Sequence, residues 1–229
     1  MLSRFAVVVP AHDEQDLLPH CLTALAAGAA PVAPLPVEII VVADGCTDDT
    51  AEVARAHGAT VLVIDARNVG RARAAGLAHA LRAGPDGLWL ATTDADSRVP
   101  PGWLRAHQTH AGKGVALVVG TVAVEHWSPW PATVRERYES RYRSGMTATG
   151  HDHVHGANLG CDARTYQQVG GFAALPHDED RDLVARVVGA GARVVFDAQS
   201  PVVTSARRAG RAPRGFAGFL ADIAAGGEA

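Results

Sequence analysis

Two carboxylates one residue apart, Asp94-Ala95-Asp96, form the pair in this sequence best suited to a hard cation. Residues i and i+2 of an extended chain project to the same side, so both can face one ion. Oxygen ligands of this kind suit Mg²⁺ or Mn²⁺. The pair ends a run that reads as a buried strand, LWLATTDAD, and other strand-like runs end similarly. FAVVVP leads into Pro10-Ala11-His12-Asp13-Glu14, and VEIIVVAD ends in Asp44-Gly45. Ligands of an open parallel sheet bind beyond the carboxyl ends of its strands, so acids at three strand ends meet on one rim. Any one of them could cap a helix or shape a turn instead, an account that weakens when three coincide. A rim of carboxylates repels a diphosphate unless a divalent cation bridges protein and phosphate oxygens. A further acidic cluster, Asp178, Glu179, Asp180 and Asp182, precedes the apolar positions Leu183, Val184 and Val187. Helix N-termini favour acids, which accounts for some of these four.

The elements that must hold these residues alternate. Strands are predicted over 5–10, 37–44, 59–65 and 88–96, each short, β-branched and nearly continuous in hydrophobicity, as strands buried on both faces are. Between them, Leu17, Leu18, Cys21, Leu22 and Leu25 share a helix face with Asp13 placed to cap it. TDDTAEVARAHG stops at Gly58, and the alanine-rich GRARAAGLAHALRAG ends at Gly84. Repeated β-α-β units imply a mostly parallel sheet with helices on both faces. Beyond residue 100 the rhythm loosens. Here 114–127 reads as one bent strand or two, 131–144 as a helix, and 152–158 as a strand. Short helices follow at 162–169 and 179–189, then a strand at 192–197 and a helix near 215–225. The expectation is one α/β domain over 1–229, Rossmann-like, with a nucleotide-binding half over about 1–100.

The chain has 229 residues, enough for one sizeable core. A formal net charge of -3 gives no electrostatic reason to expect nucleic acid as partner. Cys21, Cys46 and Cys161 show no paired spacing, which favours a reducing cytoplasm. No signal region opens the sequence, and no apolar run approaches the ~20 residues that span a bilayer. Peripheral membrane contact stays compatible with that.

Three weaker signals lie in the back half. His151, His153 and His155 alternate along the expected strand, a face that could bind Zn²⁺ or simply form a polar edge. Residues 127–146 mix Trp127, Trp130, Tyr138 and Tyr142 with Arg135, Arg137, Arg141 and Arg143. Tyr138 and Tyr142 share a helix face. These aromatics could stack on sugars, or they could pack in the core beneath a solvated basic helix. The arginine-rich stretch TSARRAGRAPRGF (204–216) could close over a diphosphate or lie on the surface.

Six segments in order, VVVPAHDEQDLL, VVADGCTDDTAEVA, NVGRARAAGLAHA, TTDADSRVPPGWL, HGANLGCDARTYQQVGGF and HDEDRDLVARVVGAG, resemble the motifs of family 2 glycosyltransferases over about residues 5–197. The resemblance implies a GT-A fold and a metal-dependent, inverting transfer from a nucleoside-diphosphate sugar to an acceptor hydroxyl, with residues 101–229 as the acceptor half. By the same resemblance Asp44 contacts the base, Asp94 the ribose and metal, Asp96 the metal, and Asp180 is the catalytic base. Pro10, His12, Asp13, Glu14, Gly45, Asn68, Arg71 and Arg73 join the donor side. Glu179, Asn158, Trp127, Tyr138 and Arg141 serve the acceptor or support its loops, and a UDP-sugar is favoured over a GDP-sugar. Two departures stand out: the family's Asn-Glu is Asp13-Glu14 here, and Ala74-Ala75 replace the arginine late in the third motif. No Q/R-x-x-R-W motif is present, which disfavours a processive synthase.

Two other classes compete. A nucleotidyltransferase opens with a glycine-rich basic loop after strand one, where this chain has no glycine. A non-catalytic binding module has no need of Asp44, Asp94, Asp96 and Asp180. A dinucleotide-binding dehydrogenase is disfavoured because G-x-G-x-x-G is missing after strand one.

Overall fold

The protein is described from a computed structural model covering residues 1–210 and 215–226. The front half runs β1 (Arg4–Ala11), α1 (Leu18–Ala29), β2 (Val37–Asp44), α2 (Thr50–Ala56), β3 (Thr60–Ile64), α3 (Val69–Ala80) and β4 (Leu88–Thr92). The four strands lie parallel in the order β3-β2-β1-β4. The back half adds β5 (Ser97–Arg98), α4 (Trp103–Gly112), β6 (Leu117–Val124), α5 (Ala132–Ser144) and the small hairpin of β7 (Met146–Thr147) and β8 (Gly150–His151). It ends with β9 (Leu159–Asp162), α6 (Ala163–Gln168), α7 (Glu179–Gly189), β10 (Val194–Thr204) and α8 (Phe216–Ala224). Together they extend the sheet to β3-β2-β1-β4-β9-β6-β10-β5, with β9 antiparallel to both its neighbours.

The strand period of two divides the core. Phe5, Val7 and Val9 of β1 pack with Leu18, Leu22 and Leu25 of α1 and Leu104 of α4 on one face. Ala6 and Val8 pack with Leu77 of α3 and Leu183 and Val187 of α7 on the other. Each buried leucine contributes about 1.5–3 kcal/mol, so the two faces clamp the sheet that carries the strand-end acids. Gly76 lets α3 press onto β1, because a Cβ there would stand 2.5 Å from a Val8 methyl. A third cluster joins α5 to α8 through Val134, Tyr138, Leu220 and Ile223.

The boundaries moved where tertiary contacts intervene. β4 stops at Thr92, and Asp94 to Ser97 form a turn closed by the Ser97 amide on the Asp94 carbonyl at 3.0 Å. The expected strand at 152–158 is instead loop, then a 3-10 turn at Gly156–Asn158, with the ladder resuming at β9. Gly156 lies against the Arg73 guanidinium, leaving no room for a pleated side chain. Asp13 does not cap α1. It sits at φ 51° and its carboxylate accepts from the Thr47 amide at 2.7 Å, while Leu17 holds the cap position. Within residues 114–127 a single strand forms, β6, and the strand expected at 192–197 starts at Val194 and extends to Thr204 through an irregularity between Asp197 and Val202. Among the described residues no helix is long and apolar enough to cross a membrane.

Candidate active site

Beyond the carboxyl ends of β1, β2 and β4 the structure opens a cleft of about 390 Å³. Pro10, His12, Glu14, Asp44, Asn68, Asp94 and Asp96 line it, so seven donor-side expectations converge. The start of α3 forms one wall through Asn68, Val69 and Ala72. Asn68 caps that helix, accepting from the Arg71 amide at 2.8 Å, and its own amide reaches the Leu175 carbonyl at 2.7 Å. A helix N-terminus facing a cleft is a favourable place for phosphate.

Asp44 is buried and organises its own wall. One oxygen accepts from the amides of Ala66 at 2.6 Å and Arg67 at 2.8 Å, the other from the Asn68 amide at 2.8 Å. Its carbonyl meets His12 Nδ1 at 2.6 Å. Gly45 turns away at φ 63° and Asp13 staples the neighbouring loop, so both support the cleft without lining it.

The arginines divide unlike the expectation. Arg71 is exposed outside the cleft, whereas Arg73 is buried and spans two acids: Nη2 donates to Asp94 Oδ1 at 2.7 Å and Nη1 to Glu179. Arg73 is therefore occupied by carboxylates and is not turned to a diphosphate. Burial pushes the Glu179 carboxyl up, and Arg73 opposes that shift. Asp180, next in α7, accepts from the Gly156 amide at 2.7 Å and from the Arg181 amide at 2.8 Å. Arg207, from the arginine-rich stretch that follows β10, contacts Glu14 at 2.6 Å and Asp96 at 3.1 Å, two partners its spacing does not give. Burial raises the Asp96 carboxyl to about 6, with Arg207 countering and Asp94 and Glu14 adding to it. Of the basic stretch around it, Arg211 and Arg214 lie outside the described residues.

The donor set fits a hard cation. Asp94 Oδ1 is held by Arg73, and among the described residues nothing hydrogen-bonds its other oxygen, on a side chain 36% exposed. Asp94 thus has an oxygen to offer such an ion, whereas Asp96 Oδ1 accepts from the Ser97 hydroxyl at 3.3 Å and Oδ2 faces Arg207 at 3.1 Å. Among the described residues, the one trio of donors within reach of a common ion is Asp13, Cys46 and Asp48, off the cleft. Its atoms are engaged: Cys46 Sγ accepts from the Asp13 amide, and Asp48 accepts from Thr50 and Gln15.

The back half is reassigned in detail. Tyr138 is buried among Trp127, Tyr142, Phe216 and Phe219, so its ring belongs to the packing between α5 and α8 and is not presented to an acceptor. Trp127 is half-buried, and Arg141 is exposed with its guanidinium 5.3 Å over Phe219. Asn158 is a staple: its amide donates to the carbonyls of Thr121 and Ser200 and accepts from Trp103 Nε1. His151, His153 and His155 do share a side, as a stack with Tyr142 lying 3.8 Å from His153. Their nitrogens meet the Val119 carbonyl, the Tyr142 carbonyl and the Tyr142 hydroxyl, and they form no metal-ready trio.

The profile of Glycosyl transferase family 2 matches residues 6–167. An uncharacterized glycosyltransferase of Mycobacterium tuberculosis is 37% identical over 131 residues, 56% of this chain and 54% of that protein. The undecaprenyl-phosphate 4-deoxy-4-formamido-L-arabinose transferase of Klebsiella pneumoniae is 35% identical over 53% of this chain and 37% of its own length. The chain thus spans about half or less of these curated relatives. Two solved structures share the fold: the mannosyltransferase PcManGT of Pyrobaculum calidifontis with GDP-Man and Mn²⁺ (20% identity, TM-score 0.67, 92% of this chain and 59% of that one), and S. aureus TarS with UDP-GlcNAc (14%, 0.66, 93% and 61%). The sheet is that of the GT-A glycosyltransferases, and with the family profile spanning most of its length the chain belongs to glycosyltransferase family 2.

Proposed function

We propose that this chain transfers a sugar from a nucleoside-diphosphate sugar to an acceptor hydroxyl, with inversion, using a divalent cation held by Asp94 and Asp96. The observation that carries the reading is the convergence of Asp44, Asp94 and Asp96 with the start of α3 on one cleft. Structural neighbours in complex with UDP-GlcNAc and with GDP-Man and Mn²⁺ support a nucleotide-sugar donor. Bound between the two aspartates, Mg²⁺ or Mn²⁺ supplies the positive charge a departing diphosphate needs. The front half supplies the strand-end groups of the donor site, to which Thr204, Ser205 and Arg207 add a wall, and the rest of the back half, from about residue 101, holds the acceptor. Asp180 takes the proton of the attacking hydroxyl, and Glu179 with Arg73 fixes the start of its helix. Three unpaired cysteines suit a cytoplasmic setting.

Asp44 reads the base, and uracil suits it better than guanine. With three backbone amides on its two oxygens, roughly one acceptor position is left, since a carboxylate has about four. That suits the single N3–H of uracil, whereas guanine offers two donors side by side.

Calorimetry with UDP and GDP, each with Mn²⁺ or with EDTA, tests both parts. Metal-dependent UDP binding that Asp96→Ala abolishes is the expected outcome. Equal affinity with and without EDTA would sink the metal, and tight GDP binding without UDP binding would overturn the base.

A further inference from the structure

We infer that Arg207 is a resident cation of the proposed diphosphate site, bridging Glu14 and Asp96 in the unloaded protein and passing to the phosphates when a divalent ion takes Asp96. The inference rests on the proposed metal site. Arg207 Nη1 and Nη2 meet the two oxygens of Glu14 at 2.9 and 2.6 Å, and Nη2 also stands 3.1 Å from Asp96 Oδ2. The acids are held independently: the Glu14 amide donates to Thr50 Oγ1 at 2.8 Å, and Asp96 lies inside the turn after β4. The root of the arginine is fixed as well, because Ala206 is buried and its carbonyl accepts from Trp130 Nε1 at 2.6 Å. Only the guanidinium has to swing.

A divalent ion seated on Asp96 would face that guanidinium as a like charge. Ion alone must therefore push Arg207 off Asp96 and leave it paired with Glu14. Ion and diphosphate together offer the fork a phosphate, which it matches with two parallel N–H bonds. Arg73 cannot take this part, since Asp94 and Glu179 occupy both its arms. Arg207 is thus a positioning residue that couples metal loading to diphosphate loading, and the coupling is reciprocal.

The test uses Arg207→Gln and Arg207→Lys. Mn²⁺ binding alone is read from the resonance of the free aqua ion, and UDP, GDP and pyrophosphate binding in Mn²⁺ from calorimetry. Arg207→Gln should bind Mn²⁺ alone about tenfold tighter and the nucleotide or pyrophosphate about tenfold weaker, shifts opposite in sign. Arg207→Lys, a point charge without the fork, should fall between. A folded Arg207→Gln with unchanged or weaker Mn²⁺ affinity, while nucleotide still recruits the ion, overturns Arg207 alone. Failure of wild type and variant to bind Mn²⁺ with or without nucleotide overturns the metal site and this inference with it.

Discussion

Arg73 Nη2 stands 2.7 Å from Asp94 Oδ1, joining a side chain 4% exposed to one at the mouth of the cleft. The other arm of the same guanidinium holds buried Glu179, so a single residue of α3 ties the end of β4 to the start of α7. Removing one partner of a buried charge network strands the others, at about 3–5 kcal/mol. Arg73→Gln should lose stability on that scale and cut kcat, because Asp94 and Asp180 lose their common reference. Arg73→Lys keeps the charge but cannot span both acids, and should recover stability only in part. Thermal unfolding beside steady-state kinetics checks this; a fully active, fully stable Arg73→Gln would deny the bridge any role.

The acids of this site were legible and their partners were not. Asp44, Asp94 and the β1 end stand out because continuous β-branched runs announce where parallel strands stop, and ligands gather there. No local spacing links Arg73 to Glu179 or Arg207 to Glu14, pairs separated by 106 and 193 residues. β9 escaped for a similar reason. It is a four-residue wedge containing Gly160, where a Cβ would lie 2.4 Å from the His107 ring, so neighbours define it more than propensity does. The i,i+4 aromatics of α5 were read onto one face, but which face is buried depends on α8, some eighty residues later.

Tyr138 and Arg141 now separate into different tests. Tyr138 fills the α5–α8 cluster, and truncating a buried aromatic costs about 3–5 kcal/mol. Tyr138→Ala should lower the unfolding temperature markedly. Arg141, exposed on the same helix, should tolerate alanine within about 0.5 kcal/mol and raise the acceptor KM with donor affinity unchanged. A fall in donor affinity instead would remove residues 127–155 from acceptor selection.

His107 makes the fold sensitive to acid. It packs against Trp89 and Trp103, its Nδ1 has no hydrogen-bond partner among the described residues, and burial lowers its pKa to about 3. The unfolded imidazole titrates near 6.5, so below that pH the unfolded chain takes up a proton the folded one refuses. The stabilisation is complete above about 6.5 and declines toward 3, at up to about 1.4 kcal/mol per pH unit from this group. Denaturant unfolding at pH 7, 5.5 and 4 should show that fall, and His107→Gln should flatten it. Parallel profiles for the two proteins would mean that His107 is charged in the fold.

Asp180 is the residue on which the stereochemistry depends. The acids at the start of α7 are favoured there by the helix dipole, which explains their number but not their separate engagements. Glu179 is buried on Arg73, whereas Asp180 accepts from the Gly156 amide and stays partly accessible. That amide aims the carboxylate from the chain leading into β9, as a base aligned to one hydroxyl requires. A single in-line displacement needs one base and no protein nucleophile, while retention through a covalent intermediate needs a second carboxylate as nucleophile. Asp180→Asn keeps an oxygen able to accept from Gly156, so the local fold should persist. Losing a positioned base costs about 10²–10⁴ in rate, and kcat should fall that far with donor affinity nearly intact. The product anomer, read by NMR, should be opposite to that of the donor. Near-normal turnover by Asp180→Asn, or a retained anomer, would assign the chemistry to another group.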